Sequence, residues 1–242
     1  MQSSLMSIMK RTASLYVALL TLTILMMVLS VSLVSAQTTT PTQTKEDYKD
    51  VISKRADKIV AALGSTDAVF NKKVSAVVAD QYIALGSIHD ERNAKIKAIK
   101  TKDSVLTDQD KADIEKLTAD ADKELDKLHT KYLAKLSKLC TPGQVEGIKN
   151  GMTYNVLNVT LTAYHEMLPN LTPEQNKQIT DWLTEAREHA MDAESSDKKH
   201  AWFGKYKGRI NNYLAKAGVD MKAAEKEWLD RVKAKKEAAK QS

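Results

Sequence analysis

The chain has 242 residues, a formal net charge of +6 and a single cysteine, Cys140. So mild a basic excess, spread over a Lys/Glu/Asp-rich surface, argues against a nucleic-acid partner, which needs a concentrated basic face. One Cys excludes an internal disulfide, so packing alone must hold the fold. Gly and Pro are scarce, at 8 and 4 residues, and the abundance of Ala, Lys, Glu and Leu is that of a helical protein.

Lys10 and Arg11 precede an apolar run from Ala13 to Leu33, and Val34-Ser35-Ala36 supplies small residues before Gln37. This layout predicts a secretory signal peptide over residues 1–36, cleaved after Ala36, and a secreted or periplasmic location. The rival reading is an uncleaved anchor, because the run is about long enough to span a bilayer. No Cys stands directly after it, so a bacterial lipoprotein anchor is not supported. Cleavage would leave about 206 residues, enough for a sizeable core, and no membrane span. It removes two positive charges and no acids, which lowers the formal charge from +6 to about +4.

Residues 37–45 read as a disordered Thr/Gln/Pro tether, and residues 46–242 as a single helical domain. A first helix is expected from Glu46 to Leu63, closed by Gly64. The next begins near Asp67, with an apolar stripe at Val74, Val78, Tyr82, Leu85, Ile96 and Ile99. Arg92 falls where that stripe calls for an apolar residue. After a polar turn, Ile114, Leu117, Ala121, Leu125, Leu128, Tyr132, Leu136 and Leu139 repeat with a period near 3.6. Two stripes of similar length joined by a short connection predict a long antiparallel helical hairpin.

The second half is punctuated by Thr141-Pro142-Gly143-Gln144 and Thr172-Pro173-Glu174-Gln175. In each, Thr can cap the first amides, Pro suits the first helical position, and Gln can reach back to the cap. Helices should therefore start at Pro142 and Pro173. Residues 154–164 alternate like a strand at Leu157, Val159, Leu161 and Ala163. They also keep a helical period through Ile148, Met152, Val156, Val159, Ala163 and Met167, and with no second strand-like segment to pair with, helix is favoured. Three more helices follow, the last after Gly218-Val219-Asp220, with a Lys-rich end from Lys233 that should fray. The expected fold class is all-α: the long hairpin packed with a C-terminal multi-helix bundle.

Residues able to carry chemistry concentrate between Arg187 and Tyr213, among them His189, Asp192, Glu194 and His200. Gly204 and Gly208 lie within a predicted helix, where each costs about 1 kcal/mol relative to Ala. Such a pair suggests close backbone approach by another helix or by a ligand. Trp202, Phe203, Tyr206 and Tyr213 can be read as core, or Trp202 and Tyr206 as a stacking platform with Lys205, Arg209 and Asn212 as hydrogen-bonding arms. A second cluster, His89-Asp90-Glu91-Arg92-Asn93, sits mid-helix beside the apolar stripe. Polar groups there need a partner or a cavity, so an inter-helix salt bridge is the alternative to a site. The candidate ligand-binding set is His89, Arg92, Asn93, His200, Trp202, Lys205, Tyr206, Arg209 and Asn212.

No His-Glu-x-x-His, paired-Cys spacing, Gly-x-Ser-x-Gly or Gly-rich phosphate loop is present, so the sequence names no metal, cofactor or nucleophile. His189, Asp192 and His200 form at most a weak metal pattern.

One string is specific: Lys199-His200-Ala201-Trp202-Phe203-Gly204-Lys205-Tyr206-Lys207-Gly208-Arg209-Ile210-Asn211-Asn212-Tyr213. With Thr141-Pro142-x-Gln144, Asn150-Gly151-Met152-Thr153-Tyr154, Pro169-Asn170-Leu171-Thr172, Ala186-Arg187-Glu188-x-Ala190-Met191-Asp192-Ala193 and Ile88-His89-Asp90-x-Arg92-Asn93, it resembles a secreted bacterial domain family of unknown function, DUF3826. The resemblance carries no activity. It implies association with polysaccharide-degradation systems, and hence a glycan or oligosaccharide ligand. Leu171-Thr172-Pro173-Glu174-Gln175 is also similar to the Leu-Thr-x-x-Gln motif of Spy/CpxP periplasmic chaperones, in a form that helix capping already explains. Three functions follow: a binding or accessory protein of a polysaccharide-utilisation system, an enzyme acting on a polysaccharide fragment, or a Spy-like chaperone. The last is disfavoured because Met1, Met6, Met9, Met26 and Met27, out of nine Met, lie in the signal segment.

Overall fold

Side-chain caps set most of the helix starts. The computed structural model describes residues 45–101 and 105–239, and the expected signal peptide and nearly all of the tether lie outside them. Among the described residues there are eight helices and no strand: α1 (Lys45–Ala61), α2 (Ala68–Lys100), α3 (Asp108–Leu139), α4 (Pro142–Met152), α5 (Val156–Met167), α6 (Pro173–Met191), α7 (Ser196–Lys216) and α8 (Met221–Ala238). The fold is all-α, as composition and periodicity predict, and Lys45, assigned to the tether, is already helical. Asp67 caps α2 by accepting from the Val69 and Phe70 amides at 2.8 and 3.0 Å. Thr107, Thr141 and Thr172 each form a reciprocal capping box, with Asp110, Gln144 and Gln175 respectively.

The ambiguous stretch is helix. Tyr154 and Asn155 adopt positive φ of 56° and 58°, which turns the chain sharply between α4 and α5. Its alternating apolar residues then fall on both sides of a short helix, and Val159 is exposed. The C-terminal segment corrects another expectation, since helix continues past Lys233 to Ala238, although most of that end is exposed.

Burial divides into two clusters. The first joins Ile52, Ala56 and Val60 of α1 to Val74 and Val78 of α2, Tyr132 and Leu136 of α3, Ile148 and Met152 of α4, and Met191 of α6. The second joins Leu157 and Tyr164 of α5 to Ile179, Leu183, Ala186 and Ala190 of α6 and Phe203, Tyr206, Ile210 and Leu214 of α7. Each fully buried large aliphatic or aromatic side chain contributes about 1.5–3 kcal/mol. Helices α2 and α3 pair extensively, as do α6 and α7, which gives the expected hairpin beside a C-terminal bundle. Cys140 is partly buried against the first cluster, and burial raises its thiol pKa. That fits the small-hydrophobe role.

Close backbone approach occurs where the sequence reading did not place it. A Cβ on Gly147 would stand 2.7 Å from Leu63 Cδ2, and one on Gly151 2.9 Å from Ile59 Cγ2, so these glycines seat α4 on α1 and the turn that follows it. A Cβ on Gly204 or Gly208 would meet nothing within 4 Å. Both lie on the exposed side of α7, so neither seats a neighbouring helix against the backbone.

Candidate functional site

The C-terminal end of α6 is the polar centre of the molecule. The last carbonyls of a helix have no intrahelical donor and form the negative end of its dipole, so cations and N–H donors collect there. Lys199, buried at 5 % exposure, donates its ammonium to the carbonyls of Ala190 at 2.8 Å and Met191 at 3.0 Å. Burial pushes its pKa down to about 8, against the opposing pull of the Asp192 charge. His89, 6 % exposed, approaches from α2 and brings Nε2 within 2.7 Å of the Asp192 carbonyl. A carbonyl only accepts, so Nε2 carries the proton. Nδ1 is then buried without a hydrogen-bond partner, 3.9 Å from Glu194 Oε2.

From α3, His129 donates through Nδ1 to Asp192 Oδ2 at 2.7 Å, and its Nε2 lies 3.4 Å from Glu188 Oε2. The hydrogen bond to Asp192 and then the one to Glu188 raise its pKa to about 9 despite burial. Burial would raise the Glu188 pKa, but hydrogen bonds from His129, Lys149 and Arg187 outweigh it and hold the carboxyl down to about 2. Arg187, 2 % exposed, bridges Glu188 at 3.0 Å and Glu146 at 2.7 Å and donates to Asn150 Oδ1 at 2.9 Å. This charged interior links α3, α4 and α6.

Beside it opens a cleft of about 660 Å³, walled by α2, α3, the α6–α7 connection and the start of α7. His89, Arg92, Asn93 and Trp202 all line it. Arg92 ion-pairs with Glu194 and donates through Nε and Nη2 to Asn93 Oδ1 at 3.1 and 2.9 Å. Asn93 Nδ2 donates to Glu194 Oε2 at 3.2 Å. Burial raises the Glu194 pKa, but the Asn93 hydrogen bond and the Arg92 charge bring it below the ordinary value. The break that Arg92 makes in the α2 stripe is thus both an ion pair across elements and part of a cavity wall. On the other wall, His189 stacks on Trp202 at 4.4 Å between centroids.

The remaining sequence candidates are not among the residues lining this cleft. His200 is exposed, stacks on Tyr154 at 5.6 Å and has Nδ1 2.8 Å from its own helix at Ser196 O. Lys205 holds its ammonium 4.8 Å from the Trp202 ring centre. Tyr206 is buried in the second core. Arg209 lies over Trp182 at 4.5 Å and near Glu185 at 3.9 Å. Asn212 is exposed. Of the helix face from His200 to Tyr213, only Trp202 among the candidates joins the 89–93 patch in the cleft, because α7 turns Tyr206 into the core and presents Arg209 to α6.

Sequence reasoning left His129 out of the site. Leu125, His129, Tyr132 and Leu136 recur at steps of four, three and four, so His129 shares the inward line and was legible in principle. No grouping of three or more His, Cys, Asp or Glu among the described residues is arranged to hold a metal ion. His189, part of the weak metal pattern, faces Trp202 instead.

Residues 49–234 match the model of a family described as a protein of unknown function (DUF3826). The chain belongs to this family. No curated protein matches it. The DUF3826 region includes every residue of the cleft and of the charged interior, and the strings that carried the resemblance lie on α2 and from the start of α4 to α7. Among the described residues no helix is long and apolar enough to cross a membrane.

Proposed function

We propose that this DUF3826 chain is a secreted or periplasmic binding or accessory protein of a polysaccharide-utilisation system, and that the cleft beside α2 takes a glycan. One observation carries this reading: Trp202 and the preset Arg92–Asn93–Glu194 cluster line the same cleft of about 660 Å³. That volume is in the range of small-molecule sites, and an aromatic wall with a few fixed polar groups is how such sites orient a ligand. Sugars offer apolar ring faces and many hydroxyls, the chemistry that suits an indole wall beside fixed polar groups. The test is thermal melting of the mature chain against a panel of neutral and acidic oligosaccharides. A bound glycan at a hundred times its Kd raises stability by about 2.7 kcal/mol. Arg92→Ala and Trp202→Ala should lose that shift while Arg209→Ala keeps it. A panel in which no glycan moves the wild-type transition sinks the reading.

The enzyme alternative rests on His89, whose buried Nδ1 has no hydrogen-bond partner and stands near a carboxylate. A catalytic role would release new reducing ends from a polysaccharide, lost in His89→Gln. The chaperone alternative has less support, since Met152 and Met191 are buried at 1 % and 0 % exposure.

A further inference from the structure

We propose that Arg92, Asn93 and His89 form a receptor for the carboxylate of an acidic sugar, a uronate unit of an oligosaccharide, and that Glu194 occupies this receptor until ligand displaces it. The proposal rests on the reading of the cleft as a glycan site.

Positions 89, 92 and 93 are separated by three and four residues, so one face of α2 presents all three side chains together. They converge on a single atom, Oε2 of Glu194. Arg92 ion-pairs with it, Asn93 donates to it at 3.2 Å, and His89 Nδ1 faces it from 3.9 Å. The donors are set beforehand. Arg92, only 16 % exposed in its side chain, is braced by two hydrogen bonds to Asn93 Oδ1, and His89 is fixed by its bond to the Asp192 carbonyl. All three stand on a 33-residue helix, whereas the carboxylate comes from the short connection between α6 and α7. The rigid part is the receptor and the exchangeable part is the anion.

The receptor also offers more than Glu194 uses. His89 Nδ1 is buried without a hydrogen-bond partner: with the proton on Nε2 it can only accept, and the Glu194 carboxylate 3.9 Å away has no proton to donate. A uronate supplies what is missing. Its carboxylate can take the place of Glu194 on Arg92 and Asn93, and one of its hydroxyls can donate to Nδ1. A neutral sugar offers the hydroxyl alone and cannot compete with Glu194 for the guanidinium. Self-occupation then weakens apparent affinity by the fraction of chains whose receptor is open.

The experiment measures binding of oligogalacturonides, and of the same oligomers with every carboxyl methyl-esterified, to wild type, Glu194→Gln, Glu194→Ala and Arg92→Ala by calorimetry. Wild type should bind the free acids and not the esters. Both Glu194 variants should bind the acids tighter, by about tenfold for a receptor that is open in a tenth of chains, a gain that misfolding cannot produce. Arg92→Ala should lose binding. If the Glu194 variants bind no tighter, or the esters bind as well as the acids, the carboxylate receptor is wrong while the glycan cleft stands. If neither acids, esters nor neutral oligosaccharides bind any variant, both readings fall.

Discussion

His129 Nδ1 lies 2.7 Å from the Asp192 carboxylate, a contact between the middle of α3 and the end of α6 across 63 residues of sequence. With Glu188 on its other nitrogen, the imidazole is held as a cation between two acids. Its folded pKa of about 9 exceeds the ordinary 6.5, so its contribution is complete below pH 6.5 and fades as pH rises through 9. Glu188 runs the other way. Its folded pKa of about 2 lies below the ordinary 4.5, so its contribution is complete above pH 4.5 and fades as pH falls toward 2. Melting temperature should fall on both sides of a plateau between pH 4.5 and 6.5, and His129→Gln should flatten most of the alkaline slope between 6.5 and 9. An unchanged slope in that variant would reject the assignment. Lys199 acts later and oppositely, because a depressed amine pKa of about 8 relieves a penalty only between pH 8 and 10.5.

Glycine replacements should separate by site. Gly204→Ala and Gly208→Ala put a methyl into open space on an exposed helical face and should each stabilise by about 0.5–1 kcal/mol. Gly151→Ala drives a methyl against Ile59 and should destabilise by about 1–3 kcal/mol. Urea denaturation gives both signs, and a destabilised Gly204→Ala would show that α7 needs its bare backbone after all.

Thr172→Ala removes one half of the capping box that starts α6. It should cost about 1 kcal/mol, read as a shift in denaturation midpoint at constant slope. A variant that melts with wild type would refute the cap.

Edman sequencing of exported material should return Gln37 as the first residue. Material that retains residues 1–36 would favour an anchor over a signal peptide.

Most of the helix list was legible because its signals are local: Thr-Pro-x-Gln caps, Asp67 and Asp220 as caps, and an apolar residue at every third or fourth position. The break at Arg92 was legible for the same reason, since one guanidinium in an apolar line is visible without a structure. The partners of that break were not. Nothing in the sequence says that Glu194 reaches Arg92, or that His129 reaches Asp192, because both pairings depend on how α6 lies across the hairpin. The aromatic string on α7 misled differently. Helical rotation puts Phe203, Tyr206 and Ile210 on one buried line and leaves Lys205, Arg209 and Asn212 outside, so density in sequence was not density in space. Over 154–164 the helical period prevails over the strand-like alternation, as the lack of a pairing strand predicts, and the helix starts just after the positive-φ corner at Tyr154 and Asn155.

Among the described residues α6 alone gives buried side chains to both hydrophobic clusters, Met191 to one and Ile179, Leu183, Ala186 and Ala190 to the other. It is the splice between two halves that otherwise have separate interiors. Cooperativity of unfolding therefore runs through one helix. Weakening the splice, at Met191 or at the Lys199 ammonium by which α7 holds its last carbonyls, should divide a single thermal transition into two, with the α1–α4 half and the α5–α7 half melting as separate units.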